Sequence, residues 1–292
     1  MTKTLDTIVE DIYGLFENPD TFNPTEEQID AFGKRLAAHI TTRVGEKRTP
    51  KNGTGLRGSA LGTDCDRKSW YENHTEDFPP IPIPPNKRLS FLYGDIIEEM
   101  LLFLVEQAGH TVSGAQDTIE VDGIIGHRDC IIDGVTVDVK SSASFGMAKF
   151  KDHELSNNDP FGYLHQLSFY LEGSQNDPTL TERDYGAFLV MDKQHGHLVV
   201  DTYHKSELPE IQPRIAAKRV QVDKPSMPLR LYSAEPDGSS GNMKLGTVCS
   251  YCNFHDHCWP NLRTFLYSNG PRFLTKVAKR PQAHIYEVPK DE

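Results

Sequence analysis

No apolar run in this 292-residue sequence approaches the ~20 residues that a membrane-crossing helix needs; the longest spans residues 100–105. The N-terminus, Met1-Thr-Lys-Thr-Leu-Asp6, lacks the apolar core of a secretory signal, so the expectation is a cytoplasmic protein without a membrane partner. Internal repeats and low-complexity segments are also missing. Cysteine is sparse and odd in number, at five, which disfavours a disulfide framework and leaves metal binding or isolated buried thiols. Positive charge is in deficit, 31 Lys and Arg against 42 Asp and Glu, a net −11. That balance weakens a nucleic-acid reading, which usually comes with a basic surface. It does not exclude one, because a site for divalent cations concentrates carboxylates whose charge the cations then cancel. The positive charge is also uneven: Arg43, Lys47, Arg48, Lys51, Arg57, Arg67 and Lys68 face only Glu46, Asp64 and Asp66 over residues 43–68.

What is present reads as helices and strands in alternation. Apolar residues at helical spacing predict helices over 8–16, 25–40, 95–109, 161–172 and 208–220. Short strands are predicted over 118–121, 124–132, 135–141, 185–191 and 198–203, the second and third joined by the turn pair Asp133-Gly134. Residues 78–85 are proline-rich and suit an extended connector. The order predicts an α/β fold, a central mixed sheet flanked by helices.

Within it, Asp138-Val139-Lys140 places an acid and a lysine at i and i+2 of one strand, hence on one face. Asp129 lies one hairpin away and can meet Asp138 across the sheet. Taken alone, Asp-x-Lys is usually a surface ion pair. Here it sits among apolar neighbours, after Gly126-His-Arg-Asp129 and before Gln166-Leu-Ser-Phe-Tyr170, whose Gln166 and Tyr170 share a helix face. Two carboxylates with a backbone carbonyl between them suit Mg²⁺ or Mn²⁺, and Glu98 of the preceding helix offers a third acid. Such a set can neutralise charge on phosphorus-bound oxygens and activate water, with a lysine beside it to orient the water or pair with phosphate.

The order Glu98, Asp129, Asp138-Val139-Lys140, Gln166-Tyr170 resembles the PD-(D/E)XK nucleases, and within them the RecB-like exonucleases. The resemblance implies Asp129 and Asp138 as metal ligands, assisted by the Val139 carbonyl. It also implies Lys140 as the catalytic lysine, with Gln166 and Tyr170 supporting the site and contacting DNA. Many relatives carry a histidine four residues after the helix glycine; here Gly94 is followed at that spacing by Glu98.

Cys249-Ser-Tyr-Cys252-Asn-Phe-His-Asp-His-Cys258 brings three thiols within reach of one metal centre. The pattern is similar to that of the iron–sulfur branch of these nucleases, AddB-type and CRISPR-adaptation exonucleases. In those, one cysteine before the core and three after it hold a [4Fe–4S] cluster, which makes Cys65 the fourth ligand. Zinc could take the same four thiolates, or use His255 or His257 in place of Cys65. Cys130 is expected in the core as a small hydrophobe.

The resulting expectation is a DNA exonuclease acting on single-stranded or frayed ends, of phage or prokaryotic DNA processing, recombination or repair, with a recombination or replication protein as a further partner. The alternative is a non-catalytic DNA-end-binding module with a structural metal cluster. Residues 1–54 are read as a helical region with a basic loop, 55–262 as the nuclease core with its iron–sulfur clamp, and 263–292 as a tail. Arg57, Arg67, Lys68 and Tyr170 are the candidate DNA contacts.

Overall fold

The computed structural model describes residues 3–45, 56–268, 270–282 and 284–289. In chain order its helices are α1 (Ile8–Glu17), α2 (Glu26–Gly45), α3 (Asp66–Asn73), α4 (Pro85–Gln107), α5 (Ser144–Lys151), α6 (Tyr163–Gly173), α7 (Ile211–Val222), α8 (Thr247–Ser250) and α9 (His255–Cys258). Its strands are β1 (Val112–Ser113), β2 (Thr118–Val121), β3 (Ile124–His127), β4 (Cys130–Ile132), β5 (Val135–Ser142), β6 (Tyr185–Asp192), β7 (Leu198–His204), β8 (Glu235–Pro236), β9 (Met243–Lys244), β10 (Arg263–Tyr267), β11 (Gly270–Lys276) and β12 (Tyr286–Val288). The architecture is α/β, with a mixed sheet flanked by helices. The chain divides into two compact units, one of residues 1–49, 57–62 and 84–216, the other of 50–56, 63–83 and 217–292.

The first unit is built on a five-stranded sheet in the order β1-β4-β5-β6-β7, in which only β5 and β6 run parallel. Alternation along β5 sorts its side chains to two cores. Val135, Val137 and Val139 pack with Ile97, Leu101 and Val105 of α4 and Ile8 and Ile12 of α1. Phe188 and Val190 of β6 join Met147 and Phe150 of α5 and Leu164, Leu167 and Leu171 of α6 on the other face. Thr136, Asp138 and Lys140 therefore point toward the α6 side. Helix α4 begins ten residues before its predicted start, because Pro85 occupies the first helical position, where a missing N–H costs nothing.

One predicted strand is corrected. Residues 124–132 are not continuous: Ile124–His127 pairs with β2 in a separate two-stranded sheet, and Cys130–Ile132 joins the five-stranded one. Arg128 and Asp129 form the break. The Arg128 side chain is only 1% exposed and reaches the Asp117 and Asp177 carboxylates, the Ser174 hydroxyl and the Gly114 carbonyl. A guanidinium so placed takes its residue out of a ladder. Helix α5 was not predicted.

In the second unit β8 to β12 form an antiparallel sheet in the order β12-β10-β11-β9-β8, so three of its strands lie within the segment read from sequence as a tail. Helix α3 carries Trp70 and Tyr71, which pack with Phe254, Phe78, Cys252 and Cys258. Lys218 is 1% exposed and pairs with Asp66 at 2.8 Å.

Candidate functional site

Strand β5 sets the geometry. Asp138 is completely buried, with the Lys140 ammonium 2.6 Å from its Oδ2. Among the described residues no backbone N–H or hydroxyl donates to either Asp138 oxygen, so the ammonium is its close cationic partner. Burial, with Asp129 adding to it against the pull of Lys140, pushes the Asp138 carboxyl up to about 8. Burial pulls the Lys140 ammonium down, but Asp138 and Asp129 outweigh it, so Lys140 stands above its ordinary value. Asp129, at the end of the break, accepts the Val139 N–H on its Oδ2 at 2.9 Å. The N–H and C=O of one strand residue point to the same edge, so the Val139 carbonyl faces the Asp129 side as well.

Helix α6 covers this face. Tyr163, Gln166 and Tyr170 are spaced three and four apart and line one side of it. The Gln166 carbonyl oxygen accepts from Lys140 at 3.3 Å, and its amide nitrogen donates to the Tyr170 hydroxyl at 2.6 Å. The Tyr163 ring lies under the ammonium, 5.3 Å from ring centre to Nζ. Tyr170 is buried, and desolvation with the nearby Asp138 and Asp129 charges raises its phenol above the usual range. The helix starts where it does because Asp159 accepts the Tyr163 and Leu164 N–H groups at 2.9 Å each, and Gly162 adopts φ +74°.

Glu98 comes from α4. Burial first, then the charge of Asp129, raises its carboxyl to about 8, and Gln116 donates to its Oε1 at 2.7 Å. It opens on a cleft of about 990 Å³ whose other walls include Arg35, His39 and Arg43 of α2, with Gln116 and His127. Arg43 is held bidentately by Asp95, at 2.5 and 2.8 Å, and Arg35 by Glu99. Among the described residues, no three His, Cys, Asp or Glu side chains converge as the ligand set of one metal ion. Glu98, Asp129, Asp138, Lys140, Gln166 and Tyr170 nonetheless form one electrostatic neighbourhood.

In the second unit, Cys65, Cys249, Cys252 and Cys258 line one cavity, along with Arg67, Lys68, Tyr71, His255 and Trp259. Burial and the neighbouring thiols push Cys249 up to about 12. Cys252 rises to about 11, chiefly through burial, and burial also raises Cys65. Such thiols ionise only if a cation replaces their protons. Cys130 is elsewhere, fully buried in the first core with its thiol toward the Val137 carbonyl.

The candidate DNA contacts divide. Arg57 is exposed, its backbone bridged to Ile125. The Arg67 guanidinium turns inward, to the Pro228 carbonyl at 2.6 Å and the Cys258 sulfur at 3.6 Å, and Lys68 pairs loosely with Glu72. Lys47, Arg48 and Lys51 lie outside the described residues. Sequence reasoning missed Gln116 and Arg128. The signals available were an Arg directly preceding Asp129 in an apolar stretch, and a loop, Gly114-Ala-Gln-Asp117, placed immediately before a hairpin.

No protein-family model and no curated protein matches the chain. Among solved structures, the crystal structure of SSO0001 is similar at 16% identity over 76% of this chain and 91% of that one, with a TM-score of 0.39, a likeness too low to carry any argument.

Proposed function

We propose that this chain is a metal-dependent deoxyribonuclease of the PD-(D/E)XK type, in the RecB-like iron–sulfur branch, acting at DNA ends. The observation that carries the reading is Asp138. A fully buried acid is costly, and a lysine at 2.6 Å with a second acid beside it makes the cost purposeful. The donor set is all oxygen, which suits Mg²⁺ or Mn²⁺. Glu98, Asp129, Asp138 and the Val139 carbonyl would hold the cation, which supplies charge stabilisation at the phosphoryl and leaving oxygens.

The chain's own groups do the rest. Asp129 orients the Val139 peptide through its N–H. Lys140 suits pairing with the scissile phosphate or orienting the attacking water. Gln166 holds Lys140 in place and ties it to Tyr170. In the second unit, four cysteines around one cavity support a [4Fe–4S] cluster with a structural role, and zinc is the competing occupant.

The test is incubation of labelled linear and circular DNA, single- and double-stranded, with Mn²⁺ and either wild type or Asp138→Ala. Degradation of linear but not circular DNA by wild type alone is expected. Intact DNA in every wild-type reaction sinks the enzyme reading, and DNA-end binding without hydrolysis would assign the chain to the non-catalytic alternative. Iron and zinc analysis of protein purified without oxygen decides the cluster.

A further inference from the structure

We infer that Gln116 is a positioning residue that holds Glu98 and Asp129 in one arrangement, an inference that rests on the metal site proposed above. Its side-chain amide donates to Glu98 Oε1 at 2.7 Å. Its backbone N–H donates to the Asp129 carbonyl at 3.1 Å. The two acids come from a helix and from a strand break, and one residue touches both.

Gln116 does this from a conformation that side chains avoid, with φ +57°. Left-handed non-glycine residues persist where the surroundings over-determine them, and they gather at functional sites. The surroundings here are Arg128, whose Nε donates to the Gly114 carbonyl at 3.2 Å and whose NH2 donates to Asp117 at 2.9 Å. The Arg128 backbone N–H donates to the Asp117 carbonyl, and the Asp117 N–H to the Gly114 carbonyl. A Cβ on Gly114 would stand 2.0 Å from the guanidinium, so the loop lies directly on it. Both ends of the four-residue loop are thus pinned to the residue that precedes Asp129, and Gln116 projects from its middle into the cleft that Glu98 lines. A merely structural glutamine in a surface loop needs neither the strained backbone nor a carboxylate of the candidate site as its acceptor.

The test uses the full chain and Mn²⁺ as the probe, with affinity read by titration calorimetry and electron paramagnetic resonance. Gln116→Gly accepts the left-handed φ and keeps the N–H to Asp129 but removes the amide. Its melting temperature is expected to hold, while its Mn²⁺ dissociation constant rises by about 10- to 100-fold, the usual effect of losing an outer-shell partner. Saturating Mn²⁺ should then restore most of kcat. Gln116→Asn, which also tolerates that backbone but ends one methylene short of Glu98, should weaken Mn²⁺ in the same way. Unchanged Mn²⁺ affinity in both variants overturns the role of Gln116 and leaves the metal site standing. A wild type that binds no Mn²⁺ overturns the metal site itself, and this inference with it.

Discussion

The Asp129 carboxylate accepts the Val139 N–H at 2.9 Å, where the β4 ladder has already ended at the Cys130–Val137 rung. A side chain thus replaces a backbone partner and brings an acid to the edge of β5 beside Asp138. Two substitutions separate the roles. Asp129→Asn retains an acceptor for Val139 but loses the charge, so nuclease activity should fall by about a hundredfold or more with the melting temperature unchanged. Asp129→Ala should lose the activity and in addition roughly 1 kcal/mol of stability, measured by chemical denaturation. An Asn variant with wild-type turnover would remove Asp129 from the machinery.

Protonation should be visible on metal binding. Glu98 and Asp138 both stand at about 8, against about 4 for unfolded carboxylates. Their folded values are raised, so the folded state binds more protons between those limits. Metal-free stability should therefore be highest below that window and fall as pH rises through it. Mn²⁺ needs the carboxylates ionised, so binding at pH 7 should release protons, and affinity should climb from pH 6 to 8. Calorimetry in buffers of different ionisation enthalpy measures the release; a heat that does not depend on buffer would contradict the shifts.

Gly62 and Gly162 meet backbone to backbone. A Cβ on Gly62 would lie 2.4 Å from the Gly162 carbonyl oxygen, and one on Gly162 would lie 2.2 Å from the Gly62 Cα, with Gly162 at φ +74°. Neither contact can be relieved by turning a side chain. Gly162→Ala should cost about 2 kcal/mol or more, because strain at a left-handed position adds to the collision. It should also displace the start of α6 and with it Gln166, reducing kcat beyond what the stability loss explains. A variant as stable as wild type in denaturant would mean that the contact is looser than it stands.

Serine at Cys65, Cys249, Cys252 or Cys258 should each strip the bound metal and lower stability, as removal of a ligand does in small metal-held folds. Cys130→Ala should retain it, since that thiol belongs to the apolar core of the first unit. Metal per chain and the absorbance shoulder near ~400 nm are the readouts. Equal metal content in all five variants would detach the cysteines from any cofactor.

Period and turn chemistry made the long elements readable. Helices α1, α2, α6 and α7 and strands β6 and β7 fall close to the predicted ranges because their apolar spacing is regular. The short elements were less readable. Helix α5 follows β5 with only Met147 and Phe150 buried, too few to establish a period. Strands β8 and β9 are two residues each, too short to show an alternation, and β9 joins the sheet through the more distant β11.

By itself the sequence determined that Asp138 and Lys140 share a face, because side chains alternate along any strand, and that Gln166 and Tyr170 do so, because helical neighbours recur every three or four residues. Both are local rules. Tertiary structure alone decided that Asp129 would leave its strand, that Gln116 would reach Glu98, and that Arg67 would turn toward Cys258 instead of outward. Those outcomes follow from where a buried guanidinium finds its carboxylates and where distant segments pack. No spacing along the chain encodes such contacts.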